Sequence, residues 1–303
     1  MIKVIFMGTP DYADAILQEL IEDSKIDVVA VYTQPDKPVG RKKTLTPPVV
    51  KVTAQEHNLP IYQPIRLREE AVVRELLAIE CDYIAVAAYG QILPREILDH
   101  APCINLHAST LPQYRGASPI QQTLLNGDEE TGVTAMLMKE GLDTGDILKI
   151  EKTQVVDDEM LESLFHRLTQ VATALTIDVV KNFDSYTPVL QDEAKATHCK
   201  KITKADGLIG FENAQMLFNK YRAFTPWPSI YLKSKLKLKK IALEERESSN
   251  EAGKILNIDK ESIVVGCQKG SIRIFRVQPE SKKEMDVLAY INGKRLSIAD
   301  YLS

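Results

Sequence analysis

A chain of 303 residues, 44% hydrophobic and 26% charged, has apolar material for one large or two ordinary packed domains. Its formal charge of -4, from 38 Lys and Arg against 42 Asp and Glu, excludes a uniformly basic nucleic-acid coat and turns attention to local patches. No apolar run approaches the roughly 18 residues of a membrane span, and the start MIKVIFMG reads as a strand rather than a signal peptide, so a cytoplasmic protein is expected.

Residues 2–7 form an apolar run rich in β-branched side chains. Ala13, Ile16, Leu17 and Leu20 then repeat at helical spacing before a second run at 28–32, a β-α-β opening. Strand patterns follow at 83–87, 104–107 and 133–138, separated by helical patterns at 72–79 and 120–125. This alternation predicts a Rossmann-like α/β domain, a mostly parallel sheet with helices on both faces. Leu161, Leu164, Phe165, Leu168, Val171, Ala172 and Leu175 make one apolar stripe and predict a long closing helix. Cys81, Cys103, Cys199 and Cys267 stand far apart without metal-ligand spacing, so reduced thiols and no metal site are expected.

After Pro188 the periodicity fades, and 191–204 is polar and aperiodic. The expected organisation is a catalytic domain over 1–188, a linker over 189–205 and a smaller domain over 206–303. In the last part a helix at 213–221 precedes strand-like segments at 230–241, 253–258, 263–267 and 271–277, which suggest a small β-barrel. Residues 206–303 hold 17 basic against 12 acidic residues, a net of +5, whereas 1–205 nets -9. Lys233, Lys235, Lys237 and Lys239 alternate along the expected strand 230–241 and would project from one face, either as a basic binding stripe or as an edge strand guarded by lysines.

Chemistry is most visible between 103 and 119. Asn105 and His107, two apart on a strand, share one face and lie where that strand runs out into a loop, the end at which open parallel sheets bind ligands. An amide and an imidazole there can hold an oxyanion and move a proton. Asp143, in the loop Glu140-Gly-Leu-Asp143-Thr-Gly-Asp146 after the strand pattern at 133–138, is a candidate orienter or base for His107.

Asn105-x-His107 with Ser109-Thr-Leu-Pro112, Tyr114-Arg115-Gly116, Pro119-Ile120 and Gly141-Leu-Asp143-Thr-Gly145 resembles the 10-formyltetrahydrofolate-dependent formyltransferases. Phe6-Met-Gly8-Thr-Pro10, the loop Thr33 to Arg41, and Ala87-Ala-Tyr89-Gly90-Gln-Ile-Leu-Pro94 extend the match, and looser similarity continues through Pro226-Trp227-Pro228 into the second domain. The resemblance implies a formyltransferase domain followed by an OB-fold-like barrel, with Asn105, His107 and Asp143 as the catalytic trio. It places Ser109, Thr110, Leu111 and Pro112 at the tetrahydrofolate-binding segment and Tyr89, Gln91, Ile92 and Leu93 beside the pterin. Ala108 and Thr110 stand where the family pattern has Gly and Leu.

The implied donor is 10-formyltetrahydrofolate, and the implied acceptor is the α-amine of methionine carried by the initiator tRNA. In the tRNA-directed members the loop after the second strand is an insertion that reads the acceptor stem, which assigns Lys37, Arg41, Lys42 and Lys43 to tRNA, with Arg41 as the principal contact. Lys233 to Lys239 would support the tRNA backbone. Acceptors of other kinds, a small amine or water, would keep the trio but leave the basic loop and basic second domain without a purpose. No heptad pattern is present, and a monomer is expected.

Overall fold

In the computed structural model, which describes residues 1–40 and 42–302, the chain opens with β1 (Ile2–Gly8) and α1 (Asp11–Glu22). Next come β2 (Ile26–Tyr32), the short strands β3 (Lys37–Val39) and β4 (Thr44–Thr46), α2 (Val49–Glu56), β5 (Ile61–Tyr62) and α3 (Glu70–Leu77). β6 (Tyr83–Ala87), α4 (Arg95–Leu98), β7 (Cys103–His107), β8 (Arg115–Gly116) and α5 (Pro119–Asn126) lead to β9 (Glu130–Leu137), β10 (Ile147–Gln154), α6 (Leu161–Lys181) and β11 (His198–Cys199). The chain divides into two units, one of 1–119, 130–154 and 165–199, the other of 120–129, 155–164 and 200–303. Arg41 and Ser303 lie outside the described residues.

The first unit carries a seven-stranded sheet in the order β10-β9-β7-β6-β1-β2-β5. β5, β2, β1, β6 and β7 run parallel, and the order reverses between β1 and β6, so a ligand crevice opens at their carboxyl ends. Period-two alternation explains the two buried faces: Ile5 and Met7 join Ile84, Val86, Leu76, Leu93 and Ile97 in one apolar cluster, and Val4 and Phe6, equally buried, point to the other side. Three features depart from the sequence reading, the first being the short unforeseen edge strand β5. β9 runs antiparallel to β7, and an unforeseen strand, β10, pairs antiparallel with β9. β10 forms the sheet edge, so its second half is polar and gives no apolar run to read.

The polar stretch 189–205, expected as a linker, is bound into the first unit over much of its length. Val189 exchanges backbone hydrogen bonds with Ile147, and β11 pairs in parallel with β8.

The second unit adds α7 (Ala214–Phe224), β12 (Ile230–Tyr231), β13 (Lys237–Glu245), β14 (Ile255–Ile258), β15 (Ile263–Gly266), β16 (Ser271–Gln278), β17 (Met285–Asp286) and α8 (Val287–Lys294). Its sheet is antiparallel in the order β12-β13-β16-β15-β14, with β17 on β16 and register shifts that bend β13. The strand expected over 230–241 is two strands joined by a tight turn, closed by hydrogen bonds between Leu232 and Leu236 and from Lys235 to Leu232. Lys235 adopts a left-handed backbone at φ +65° and pairs with Glu280. The four lysines therefore do not form one strand face: Lys233 and Lys235 ride on the turn, and only Lys237 and Lys239 lie on β13. Trp227 is 57% exposed.

Burial sets the chemistry of the four free thiols. It pushes the Cys81 thiol up to about 11, Cys103 and Cys267 up to about 12, and Cys199 upward as well. At pH 8 the thiolate fraction at Cys81 is then about one in a thousand. Iodoacetamide at that pH should label the native protein slowly at all four positions and the denatured protein fast, a contrast that mass spectrometry reads directly.

Candidate active site

β7 delivers Asn105 and His107 to the carboxyl end of the sheet on one face, 8% and 7% exposed. The His107 ring has two fixed neighbours. Nε2 lies 2.9 Å from the Tyr114 carbonyl, against which a ring nitrogen can only donate, and Nδ1 faces Asp143 Oδ2 at 3.7 Å. The Asn105 side-chain amide makes no hydrogen bond to the described residues, so its donor is free, two residues from His107 on the same face of β7.

Asp143 comes from the loop between β9 and β10 in a left-handed conformation, φ +55°. Its Oδ2 accepts from the Gly116 N–H at 2.8 Å. Two glycines let these segments approach. A Cβ at Gly145 would sit 1.6 Å from the Leu137 carbonyl oxygen, and one at Gly116, φ +121°, would sit 2.2 Å from the Cys199 carbonyl oxygen.

Ser109 to Pro112 form the wall after β7. The Ser109 hydroxyl donates to Gln113 O at 2.6 Å, and Thr110 Oγ1 donates to Gln113 Oε1 at 3.2 Å. Thr134, fully buried on β9 opposite His107, accepts from Leu111 N–H and donates to Ser109 O. Thr134→Val keeps the shape and orphans both groups, so a loss of about 1–3 kcal/mol in unfolding free energy is expected from denaturant titration. Ala108 is not among the residues with left-handed backbone, so alanine fits there without strain.

The loop after β6 meets the same crevice. Gln34 Nε2 and Thr9 Oγ1 both donate to the Tyr89 carbonyl. Gln91 spends its amide on the backbone of Pro64 and Leu67, making it a brace for this loop. Tyr89 and Leu93 are buried in the apolar cluster of the first unit, whereas Ile92 is 83% exposed. Among the predicted tRNA contacts, Lys37 lies on β3, and Lys42 and Lys43 on the turn of the β3–β4 hairpin. All three are exposed and free of ion pairs to the described residues; Arg41 lies outside those residues. No group of three or more His, Cys, Asp or Glu among the described residues could hold a metal ion, and no described helix is long and apolar enough to cross a membrane.

The sequence reading missed the residues that hold Asp143. Gln191 Nε2 donates to Asp143 O at 2.9 Å and to Gly145 O at 2.7 Å. Arg115, 2% exposed, donates to Gln191 Oε1 and to both carboxylate oxygens of Glu193. The Glu193 hydrogen bond raises the Arg115 pKa, and Arg115 holds the Glu193 carboxyl below its usual range. Gln191 and Glu193 occupy an aperiodic polar stretch with nothing to mark them; Arg115, in the motif after His107, is the only member with a local signal.

The mostly parallel sheet, with a switch point and an amide, imidazole and carboxylate at its carboxyl edge, suits a group-transfer enzyme, and this chain belongs to the formyl transferase family: the formyl transferase model matches residues 2–180 and the C-terminal domain model residues 201–295. Two relatives named methionyl-tRNA formyltransferase match from end to end. That of Sulfurimonas denitrificans is 68% identical over 99% of this chain and 100% of its own, and that of Nitratiruptor sp. 54% identical over 98% and 99%. Among solved structures, the N-formyltransferase of Helicobacter canadensis, in complex with folinic acid and dTDP-3-aminofucose, shares the fold with a TM-score of 0.70 at 18% identity, covering 92% of this chain and 100% of its own. HypX of Aquifex aeolicus, in complex with tetrahydrofolic acid, gives 0.61 at 14% over 97% of this chain and 48% of its own.

Proposed function

We propose that the protein transfers the formyl group of 10-formyltetrahydrofolate to the α-amine of methionyl initiator tRNA, with Asn105, His107 and Asp143 as catalytic residues. The observation that carries this reading is the convergence of those three side chains at the sheet's carboxyl edge, in a chain whose full-length relatives bear the name of that activity.

Esterification lowers the pKa of an amino acid's α-amine, so much of the nucleophile is uncharged near neutral pH and no strong base is needed. Its attack on the formyl carbon builds an oxyanion. The free Asn105 Nδ2–H₂ and a proton on His107 Nδ1 stabilise it, because Nε2–H is already committed to Tyr114 O. Asp143 faces and orients Nδ1, and its Oδ1, which has no partner among the described residues, takes the ammonium proton and passes it to folate N10 as the oxyanion collapses and the bond from the formyl carbon to N10 breaks, releasing tetrahydrofolate and the formylated amine. Ser109 to Pro112 and the loop Tyr89 to Leu93 would line the folate, Tyr89, Gln91 and Leu93 as scaffold and exposed Ile92 as an apolar contact.

Lys37, Lys42 and Lys43 of the β3–β4 hairpin, with Arg41 between them in the sequence, would grip the acceptor stem. Lys237 and Lys239, on a sheet we read as an OB-fold-like barrel because bulges bend β13, and Lys233, on the turn before it, would meet phosphates. Lys235, already paired with Glu280, would contribute least. The enzyme would work as a cytoplasmic monomer.

The test is transfer of radiolabelled formyl from 10-formyltetrahydrofolate to methionyl initiator tRNA, with uncharged tRNA and methionyl elongator tRNA as controls. Selective labelling of the charged initiator is expected; donor consumption with a small amine or water instead would refute the acceptor.

A further inference from the structure

We infer that Gln191 is a positioning residue that holds Asp143 in its working orientation, set in turn by buried Arg115; this rests on the catalytic reading of Asp143 above. Asp143 is a non-glycine residue in the left-handed region, a conformation that L side chains adopt at a cost and that its surroundings here hold in place. Two restraints do so. The carboxylate is bound by the Gly116 N–H, and the carbonyl of the same residue by the Gln191 amide.

The second Gln191 bond, to Gly145 O, spans the loop on the far side of Thr144, so one amide group clamps both ends of the turn that presents the carboxylate. Its orientation is not free to flip. Arg115 offers only donors, and its Nε and Nη2 lie 3.0 and 2.7 Å from Gln191 Oε1, so the amide nitrogen must face the loop. Glu193 then fixes the guanidinium through bonds of 2.9 and 2.7 Å. Arg115 and Gly116 are adjacent on β8, so the carbonyl restraint and the carboxylate restraint are anchored to one two-residue strand, which pairs with β11 at His198 and Cys199. All four hydrogen-bonding positions of Gln191 are filled by protein, which leaves it no role toward substrate and marks it as acting through Asp143.

Gln191→Glu separates the two halves of this clamp. A carboxylate keeps the acceptors that Arg115 needs but turns an acceptor, not a donor, toward the two loop carbonyls. We expect turnover to fall about 10- to 100-fold, as for a misplaced catalytic group, with KM for the folate and for the tRNA changed less than about 2-fold. In an Asp143→Asn background the same substitution should add nothing, because the residue through which it acts is already disabled. Hydrogen exchange over residues 139–146 should be faster than in the wild type.

Unchanged turnover, a further loss in the Asp143→Asn background, or unchanged exchange would each overturn the inference. Should Gln191→Glu fail to fold, Glu193→Gln takes its place; it leaves the buried partners intact and should lower turnover about 2- to 5-fold with KM again unchanged. A wild-type protein that does not formylate methionyl initiator tRNA would instead remove the acceptor assignment, an outcome that the wild-type control and the exchange measurement tell apart from a failed clamp.

Discussion

Asp143→Asn is expected to lower the turnover number by about 10²- to 10⁴-fold, the range for losing a positioned acid–base group, while leaving the dissociation constant for the folate close to that of the wild type. The substitution is nearly isosteric and keeps an acceptor for the Gly116 N–H, so the loop should remain in place. What disappears is the charge 3.7 Å from His107 Nδ1 and the oxygen able to take a proton. An amide whose oxygen stays on the Gly116 N–H is neutral beside His107 Nδ1 and carries NH₂ where Oδ1 stood, so the imidazole loses its charged partner and the proton relay loses its acceptor. Folate binding by fluorescence titration and single-turnover formyl transfer separate the two effects. Unchanged turnover would remove Asp143 from the mechanism.

Arg41→Ala combined with Lys42→Ala is expected to raise KM for methionyl initiator tRNA by about 10- to 100-fold with little change in KM for the folate. The hairpin has no core of its own: β3, β4 and Lys42 and Lys43 on its turn are exposed, and the side chains of Val39 and Leu45 face solvent. The charges of Lys37, Lys42 and Lys43 are therefore available to a partner, and losing that of Lys42 costs the fold almost nothing. Removing each phosphate-binding charge should also flatten the dependence of log K on log salt by roughly one unit. Equal changes for folate and tRNA would assign the hairpin to general stability of the site instead.

Legibility from sequence followed burial. β1, β6 and β7 are covered on both faces, so their apolar runs name them, and the positions of Asn105 and His107 follow from β7 alone. β9 was visible but its direction was not, since alternation carries no sign for the way a strand runs. β3 and β4 are exposed on every residue and leave no periodic trace. The lysine stripe failed for a local reason: period-two reasoning assumes an unbroken strand, and the left-handed Lys235 breaks it. Gln191 and Glu193 were illegible because long-range polar contacts, 48 residues from Gln191 to Asp143 and 78 from Arg115 to Glu193, impose no pattern on neighbouring positions.

The path of residues 191–199 bears on how such proteins can be recombined. The two family matches end at 180 and begin again at 201, so a natural cut for exchanging halves between relatives falls in the gap. Yet Gln191, Glu193, Thr197 and Cys199 in that gap hold Arg115, the turn at Tyr114 and the Gly116 strand. A chimera joined at 181 would inherit an intact sheet and a foreign cradle for Asp143; one joined after Cys199 would carry its own. The seam that divides the chain by ancestry and the seam that divides it by chemistry are about twenty residues apart.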